Sequence, residues 1–352
     1  MKQDVLLSVG VAFFAALILI PKLHAQPLVT IDTVTVGDAG NAADPTVMIL
    51  DGTSGYGAVG YEFNIGKYEV TIGQYTTFLN SVAATDLYGL YNTSMGLNGN
   101  VAGIARSGSS GSFSYAALGS ANRPIAFVSW FDAARFANWM HNGATNGAST
   151  ETGAYTLNGA TSGTNFARSI NATWWIPSED EWYKAAYYKG GGTDAGYWDY
   201  PTQSDDAPGN TIGGATNQAN YWAEAFAVTQ VDFYSSSQNY LTDAGVFSNS
   251  DSAYGTFDQA GNLQEWNEAV IAPSTPGGPG QRGLRGGDFR SGFPDEFGST
   301  NMMSVYRQSR GPTDESNVVG FRLASVPEPS TYALLALAAT GLGAHVLRRR
   351  RQ

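Results

Sequence analysis

The fold of this chain is most clearly indicated by the segment Tyr254-Gly255-Thr256-Phe257-Asp258-Gln259-Ala260-Gly261-Asn262-Leu263-Gln264-Glu265-Trp266. It is a glycine-bracketed loop with a carboxylate at each end, Asp258 and Glu265. Such a loop can offer two hard anionic oxygens together with backbone carbonyls, which suits calcium coordination. The alternative is a turn in which both side chains only accept hydrogen bonds from nearby backbone amides.

Five further motifs flank this segment along the chain. They are Phe63-Asn64-Ile65-Gly66-Lys67-Tyr68-Glu69-Val70-Thr71, Arg123-Pro124-Ile125 followed by Val128-Ser129-Trp130-Phe131-Asp132, Ile176-Pro177-Ser178-Glu179-Asp180-Glu181-Trp182, Leu284-Arg285-Gly286-Gly287-Asp288-Phe289, and Val319-Gly320-Phe321-Arg322. In this order and spacing, the six motifs resemble the formylglycine-generating enzyme family, also called the sulfatase-modifying factor domain. The resemblance covers about Tyr61 to Leu323.

The resemblance implies an irregular α+β fold that is related to C-type lectins, has little regular secondary structure and depends on calcium in its best-known members. Carried over position by position, the calcium ligands would be the side chains of Asp258 and Glu265 and the carbonyls of Gly261 and Leu263. A second family calcium site would use Asn220 and the carbonyl of Tyr221. The usual downstream aspartate of that second site has no counterpart in register in this sequence.

Local patterns predict three helices. The first begins near Thr71, and apolar residues then fall on one helical face. The others begin at Ser129 and Ser178, each followed three residues later by a carboxylate, as in a capping box. Their inner faces place four aromatic residues in the expected core: Trp130, Trp139, Trp182 and Tyr188. The Gly-, Ser- and Asn-rich segment from Leu87 to Asn122 is predicted to be a long surface loop.

The sequence departs from the family at the positions that carry its chemistry. The family's oxidase binds copper through two cysteines after the Arg-Gly-Gly motif, but this chain has no cysteine, and those positions fall near Ser291 and Glu296. A hydroxyl cannot replace a soft thiolate as a copper(I) ligand. A related branch binds iron through three histidines, whereas of His24, His141 and His345 only His141 lies outside the terminal segments. We therefore expect neither copper nor iron.

One further departure lies before the third predicted helix. The family commonly has an arginine where this chain has Trp175. The exchange is expected to remove a buried ion pair and to add an aromatic side chain.

These features predict a non-catalytic module that binds carbohydrate or protein, or that is structural. Its ligand would occupy a groove lined by residues at and after the Arg-Gly-Gly motif: Arg285, Asp288, Phe289, Arg290, Ser291 and Arg307. The carbohydrate assignment is fold-level analogy. One alternative is a metal-dependent oxidoreductase with a non-cysteine site built from Asp288, Asp295, Glu296 and His141. Another is a matrix protein that has no ligand.

The N-terminal end of the chain predicts export. Lys2 precedes an apolar run from Val5 to Ile20, and Pro21 and Ala25 follow, which is the pattern of a signal peptide over residues 1–25.

The C-terminal end predicts sorting to the cell surface. Val326-Pro327-Glu328-Pro329-Ser330-Thr331 leads into the apolar run Tyr332 to Leu347 and then four arginines. The run reaches about 24 Å as a helix, which suits a transient anchor. The whole resembles the PEP-CTERM signal of Gram-negative bacteria, which implies an exosortase acting at Pro327-Glu328-Pro329 and a surface or extracellular location after transient inner-membrane anchoring. The alternative is an ordinary tail anchor.

Charge and length limit the partners and the organisation of the exported part. The chain has Lys+Arg 19 and Asp+Glu 30, and without its terminal segments the net charge is about −15, which argues against nucleic acid and anionic lipid. Contact with the membrane is therefore expected only through the C-terminal segment, and an extracellular polysaccharide or a surface protein is the expected partner. We assign residues 26–60 to an N-terminal strand extension, 61–325 to the sulfatase-modifying-factor-like domain and 326–352 to the sorting signal.

Overall fold

The computed structural model describes residues 26–272, 279–292 and 298–327. The predicted signal peptide, Asp295 and Glu296, and the sorting signal from Glu328 and Pro329 onward lie outside the described residues. Within the part of the chain that is described, no helix is long and apolar enough to cross a membrane.

Regular elements are few and short, which confirms the predicted irregular α+β fold. The helices are α1 (Ile72–Val82), α2 (Ser94–Leu97), α3 (Trp130–His141) and α4 (Glu179–Tyr187), with one 3-10 turn at Gly298–Met302. The strands are β1 (Thr33–Val36), β2 (Phe63–Gly66), β3 (Ile104–Ser107), β4 (Ser114–Ala117), β5 (Trp174–Trp175), β6 (Gln264–Ile271), β7 (Gln281–Arg285), β8 (Gln308–Arg310), β9 (Val319–Gly320) and β10 (Ala324–Ser325).

Two four-stranded sheets organise the described residues. The first has the order β1-β2-β10-β5 and is antiparallel throughout, so β1 from the predicted N-terminal extension lies in the same sheet as the end of the domain. The second has the order β8-β7-β6-β9, in which β9 runs parallel to β6. Strands β3 and β4 form a separate hairpin.

The three predicted helices begin where their start signals lie. Thr71, Ser129 and Ser178 are the N-cap residues of α1, α3 and α4, and each forms a complete capping box with the residue three positions later. In each box the hydroxyl accepts a hydrogen bond from that residue's amide, whose own side chain accepts from the cap amide. These boxes fix where the helices enter the core.

The helices pack through aromatic side chains. Trp130, Trp139, Trp182 and Tyr188 are buried, which confirms their predicted core position. Phe78 of α1 contacts Phe136 and Trp139 of α3 at ring-centroid distances of 5.2 Å and 5.4 Å. Because the chain has no cysteine, this packing replaces the disulfides that many exported domains use.

The prediction of a surface loop over Leu87 to Asn122 was wrong. This segment contains α2 and the β3–β4 hairpin, and it buries Tyr91, Met95 and Ile104. Gly103 serves close packing, because a Cβ atom on this residue would lie 2.3 Å from the Cδ1 atom of Ile72. A composition typical of loops therefore reflects close contact between backbone and core in this segment.

We expect Gly103→Ala to destabilise the domain by about 1–3 kcal/mol, because the added methyl overpacks the core against Ile72. Denaturant unfolding of the exported domain measures the change. The matched control is Gly60→Ala, whose added Cβ would meet no atom within 4 Å. Equal unfolding midpoints for the two variants would contradict the assignment of this segment to the core.

Candidate functional site

A buried ion pair between Arg322 and Glu265 lies at the centre of the molecule. Arg322 donates from Nε to Oε2 of Glu265 at 2.6 Å and from Nη2 to Oε1 at 2.6 Å. Trp182 donates from its indole Nε1 to the same Oε2 at 2.8 Å. Neither charged side chain is exposed. Oε2 thus accepts two hydrogen bonds and Oε1 accepts one, so Oε1 can take one more partner.

Two further carboxylates face this pair. Asp258, whose φ is 60°, accepts a hydrogen bond from the Gly245 amide on Oδ2 at 2.7 Å. Burial raises the pKa of Asp258 to about 6. Burial, and then the nearby Glu265 and Asp258, also raise the pKa of Glu69. Since one guanidinium neutralises three carboxylates only in part, the cluster carries excess negative charge when it is ionised.

The predicted first calcium site coincides with this excess charge. Asp258 retains an oxygen, and Glu265 retains one acceptor position, as a hard divalent cation requires. The donor set therefore fits calcium, and the carbonyls of Gly261 and Leu263 lie on the segment between the two carboxylates. Any such ion would share Glu265 with Arg322. Calcium binding itself stays a prediction.

The second predicted calcium set adjoins the first. The Asn220 side-chain amide donates to the Tyr240 carbonyl and to Oδ1 of Asn262, both at 2.9 Å. The Tyr221 carbonyl accepts from the Asn210 amide nitrogen at 3.2 Å. The Asn220 bonds engage only its amide donors, and the Tyr221 carbonyl retains a second lone pair, so a cation at the Asn220 side-chain oxygen and the Tyr221 carbonyl would displace neither hydrogen-bond partner.

The structure does not bring the predicted groove residues together along an open surface. Arg285 is buried and donates to Glu179 at 2.8 Å, and Phe289 stacks on Tyr240 at a centroid distance of 5.8 Å. Asp288 and Ser291 are also buried. The physical reason is that the turn after Arg-Gly-Gly folds inward, where these side chains satisfy one another and the core.

An open pocket lies beside this region instead, at the edge strand β8. It has a volume of about 550 Å³, and we call it the β8 pocket; it is lined by Leu50, Asp51, Ile271, Ala272, Gln281, Arg307, Gln308, Ser309 and Arg310. Of the predicted groove residues, only Arg307 lines it. Apolar side chains, hydroxyl, amide and guanidinium groups thus share one pocket.

The two arginines of the β8 pocket differ in their charge balance. Arg307 is neutralised by Glu179 and by Asp51, with Nη1 of Arg307 2.9 Å from Oδ2 of Asp51. Arg310 forms no ion pair with any described residue, and its Nε is buried without a hydrogen-bond partner. No described carboxylate therefore contacts Arg310 directly. Burial raises the pKa of the Asp288 carboxyl, and the charge of Arg310 acts on it at longer range, where it lowers that pKa against the rise.

Another arginine, Arg168, forms the ion pair that was expected to be lost at Trp175. Arg168 lies 2.8 Å from Glu181 and 2.9 Å from Glu268, and its guanidinium stacks 4.7 Å from the Trp175 ring centroid. Trp175 also donates to Glu181 at 3.0 Å. Arg168 belongs to none of the six motifs, so no sequence pattern indicated this role.

The metal site of the oxidoreductase alternative is not assembled within the described residues. His141 ends α3 and accepts a hydrogen bond from the Thr173 amide at 3.1 Å, whereas Asp288 contacts Gln264 and the Arg290 amide. In residues 26–272, 279–292 and 298–327, no three His, Asp or Glu side chains are placed to share a metal ion. The remaining candidates, Asp295 and Glu296, lie outside that part of the chain.

Comparison with protein families accounts for most of the chain. The family model of the sulfatase-modifying factor enzyme 1-like domain matches residues 38–326. The chain belongs to this family. The match also covers the six motifs that carried the resemblance, from Phe63 to Arg322.

A second family model confirms the sorting signal. The PEP-CTERM protein-sorting motif matches residues 325–351. The chain is therefore an exported member of the sulfatase-modifying factor family that carries an exosortase sorting signal. No curated protein sequence matches it.

Several solved structures resemble this family member at low identity. CarF is 19% identical over 85% of this chain and 99% of CarF, with a TM-score of 0.49. Treponema denticola variable protein 1 is 17% identical over 84% of this chain and 95% of that protein, with a TM-score of 0.45. PvdO from Pseudomonas aeruginosa is 17% identical over 84% and 92%, with a TM-score of 0.42. At these identities and TM-scores, none of the three structures indicates the activity of this chain.

The two positions at which the resemblance places the copper-binding cysteines fall near Ser291 and Glu296. Ser291, near the first of the family's two cysteines, is buried, and its hydroxyl accepts a hydrogen bond from the Asp288 amide at 2.9 Å. The hydroxyl is thus part of a closed turn. Glu296, near the second position, lies outside the described residues.

The raised pKa of Asp258 leads to a pH-dependent stability. The folded protein binds this proton more tightly than the unfolded chain, so the contribution is complete below about pH 4 and is lost as the pH rises through about 6. We expect Asp258→Asn to reduce the fall in the free energy of unfolding between pH 4 and pH 7, measured in chelator. The exposed Asp206→Asn is the control. If Asp258→Asn leaves the pH dependence of the free energy of unfolding unchanged, the raised pKa of Asp258 is refuted.

Proposed function

We propose that this protein is a non-catalytic cell-surface module that binds an acidic carbohydrate in the β8 pocket. The observation that carries the proposal is that Arg310 lies in an open pocket of about 550 Å³ and forms no ion pair with any described residue. A guanidinium group binds a carboxylate through parallel hydrogen bonds, which makes a uronic acid a suitable ligand.

The other residues of the pocket support a sugar rather than a simple ion. Gln281 and Ser309 present an amide and a hydroxyl, which suit the hydroxyl groups of a pyranose ring. Leu50 and Ile271 supply apolar surface for the ring's C–H faces. The whole chain has a net charge of −11, so it repels a long polyanion. The favoured ligand is therefore a short segment of an acidic polysaccharide.

The absence of catalysis in this proposal rests on the region after the Arg-Gly-Gly motif. Ser291 and Asp288 are buried and bonded to each other, so a substrate cannot reach them without opening the turn. The chain also has no cysteine. The described residues therefore offer a binding surface at β8, whereas the position of the family's chemistry is closed.

We further propose that calcium serves the fold, bound by the side chains of Asp258 and Glu265 with the carbonyls of Gly261 and Leu263. The excess carboxylate charge around Arg322 supports this role. A divalent ion there would stabilise the ionised form of Asp258, which burial otherwise disfavours.

The pocket is tested by titrating the exported protein with trigalacturonate, with maltotriose as the neutral comparison. We expect heat of binding only for the acidic sugar, and we expect Arg310→Met to weaken binding about tenfold, since a hydrogen bond to a charged group contributes roughly 1.5–3 kcal/mol. Arg123→Met is the matched control, because Arg123 is an arginine outside the pocket. Equal affinities of the two variants, or no binding of either sugar, would refute the proposal.

The metal is tested by elemental mass spectrometry of the exported protein after dialysis. We expect about one or two calcium ions per chain and no stoichiometric copper or iron. Asp258→Asn should lower the calcium content, whereas Asp206→Asn should not. One copper or iron per chain would overturn the non-catalytic proposal and support the oxidoreductase alternative.

A further inference from the structure

The chain leaves the folded domain from the interior of a sheet. Strand β10, Ala324–Ser325, is paired on one side with β2 and on the other with β5. Both of its residues are buried, and the Val326 amide still donates to the Thr173 carbonyl at 3.2 Å. Within residues 298–327, the last backbone hydrogen bond to the domain is therefore the one made by Val326.

The sorting motif begins at this same place. The domain match ends at residue 326, and the sorting-motif match begins at residue 325, so the two share residues instead of being joined by a linker. An extended chain advances at most about 3.3–3.6 Å per residue. Pro329 therefore lies within about 11 Å of Val326 in any conformation of the motif.

An apolar pocket surrounds the point of exit. It has a volume of about 520 Å³, and we call it the exit face; it is lined by Tyr61, Glu62, Arg168, Ser169, Ile170, Ala172, Trp175, Val326 and Pro327. Ile170 is 99% exposed, Tyr61 49% and Val326 42%. Three large apolar side chains are thus left in solvent around the start of the sorting motif, two of them close to half exposed and one almost completely exposed.

Of the two charged residues of the exit face, Arg168 is paired within the domain, whereas Glu62 is exposed and forms no ion pair with any described residue. Arg168 is held by Glu181 and Glu268 and stacks on Trp175. These contacts neutralise Arg168, so the charge left on the face is the exposed carboxylate of Glu62. A partner surface that fits the face is apolar where it meets Ile170 and Val326 and is not acidic beside Glu62.

We propose that the exit face is the surface on which the membrane-bound sorting enzyme docks, so that sorting acts on the folded domain. The reach of the chain brings the enzyme close to this face, because an enzyme that holds Pro327 to Pro329 must come within about 11 Å of Val326. The chain does not hold the bilayer this close to the domain. The apolar run starts at Tyr332, and five further residues allow about 18 Å of separation from Pro327.

The exposure of Ile170 allows a clean test. Because this side chain is 99% exposed, it contributes little to the stability of the domain, and Ile170→Asp should fold normally. We expect this variant to lose its C-terminal tail about tenfold more slowly than the parent chain, since about 1.4 kcal/mol of apolar contact is lost. Pulse-chase immunoblotting of the full chain in cells that contain the exosortase measures the rate.

The matched control is Leu97→Asp. Leu97 is 83% exposed and does not line the exit face. Its variant should be processed at the parental rate. Equal slowing of both variants would assign the effect to export in general, and parental rates for both would show that the enzyme ignores the domain. Either result overturns the proposal.

A spacer variant distinguishes docking of the enzyme on the exit face from an effect of the substitution on folding. Inserting eight Gly and Ser residues between Val326 and Pro327 allows the enzyme to hold the motif away from the exit face. In the variant with this spacer, Ile170→Asp should no longer change the rate at which the C-terminal tail is removed. The proposal is wrong if the substitution slows processing equally with and without the spacer. A photoreactive residue, Ile170→benzoylphenylalanine, should cross-link to the exosortase, whereas cross-linking only to lipid or to a second copy of this chain would contradict the assignment.

Discussion

The buried pair of Arg322 and Glu265 connects the two sheets. Glu265 belongs to β6, and Arg322 donates from Nη1 to the carbonyl of Gly66, the last residue of β2, at 2.9 Å. The same guanidinium donates from Nη2 to the carbonyl of Phe257 at 2.9 Å. One side chain therefore joins both sheets to the Asp258 loop. Leaving a partner of such a pair buried and alone costs about 3–5 kcal/mol, a large share of a domain's stability.

Fixed charges take the place of covalent cross-links in this exported protein. The Arg285–Glu179 and Arg168–Glu181 pairs repeat the pattern of Arg322 and Glu265 at two other positions, each with a buried carboxylate. Aromatic rings fill the space between them. Of the described residues after the Arg-Gly-Gly motif, Asp288, Phe289 and Ser291 are also buried, whereas open surface remains at β8 and around the chain's exit.

Motifs predicted the fold well, because the residues that define it act locally or in fixed partnerships. Capping boxes at Ser129 and Ser178 depend on three-residue spacing, which a sequence shows directly. The β8 pocket was missed, apart from Arg307, because it joins residues distant in sequence, such as Leu50 and Arg310. Arg168 was missed for the same reason.

The sheet order β1-β2-β10-β5 also determines when the domain can complete its folding. Residue Ile65 of β2 pairs with Ala324 of β10, so a central strand is contributed by nearly the last residues before the sorting signal. Contacts between such distant residues form slowly, because a long loop must close first. An N-terminal part of the chain that emerges first in the periplasm has no β10 to pair with. The facing edges of β2 and β5 therefore stay unpaired until the C-terminal end arrives, and unpaired strand edges are sites of aggregation.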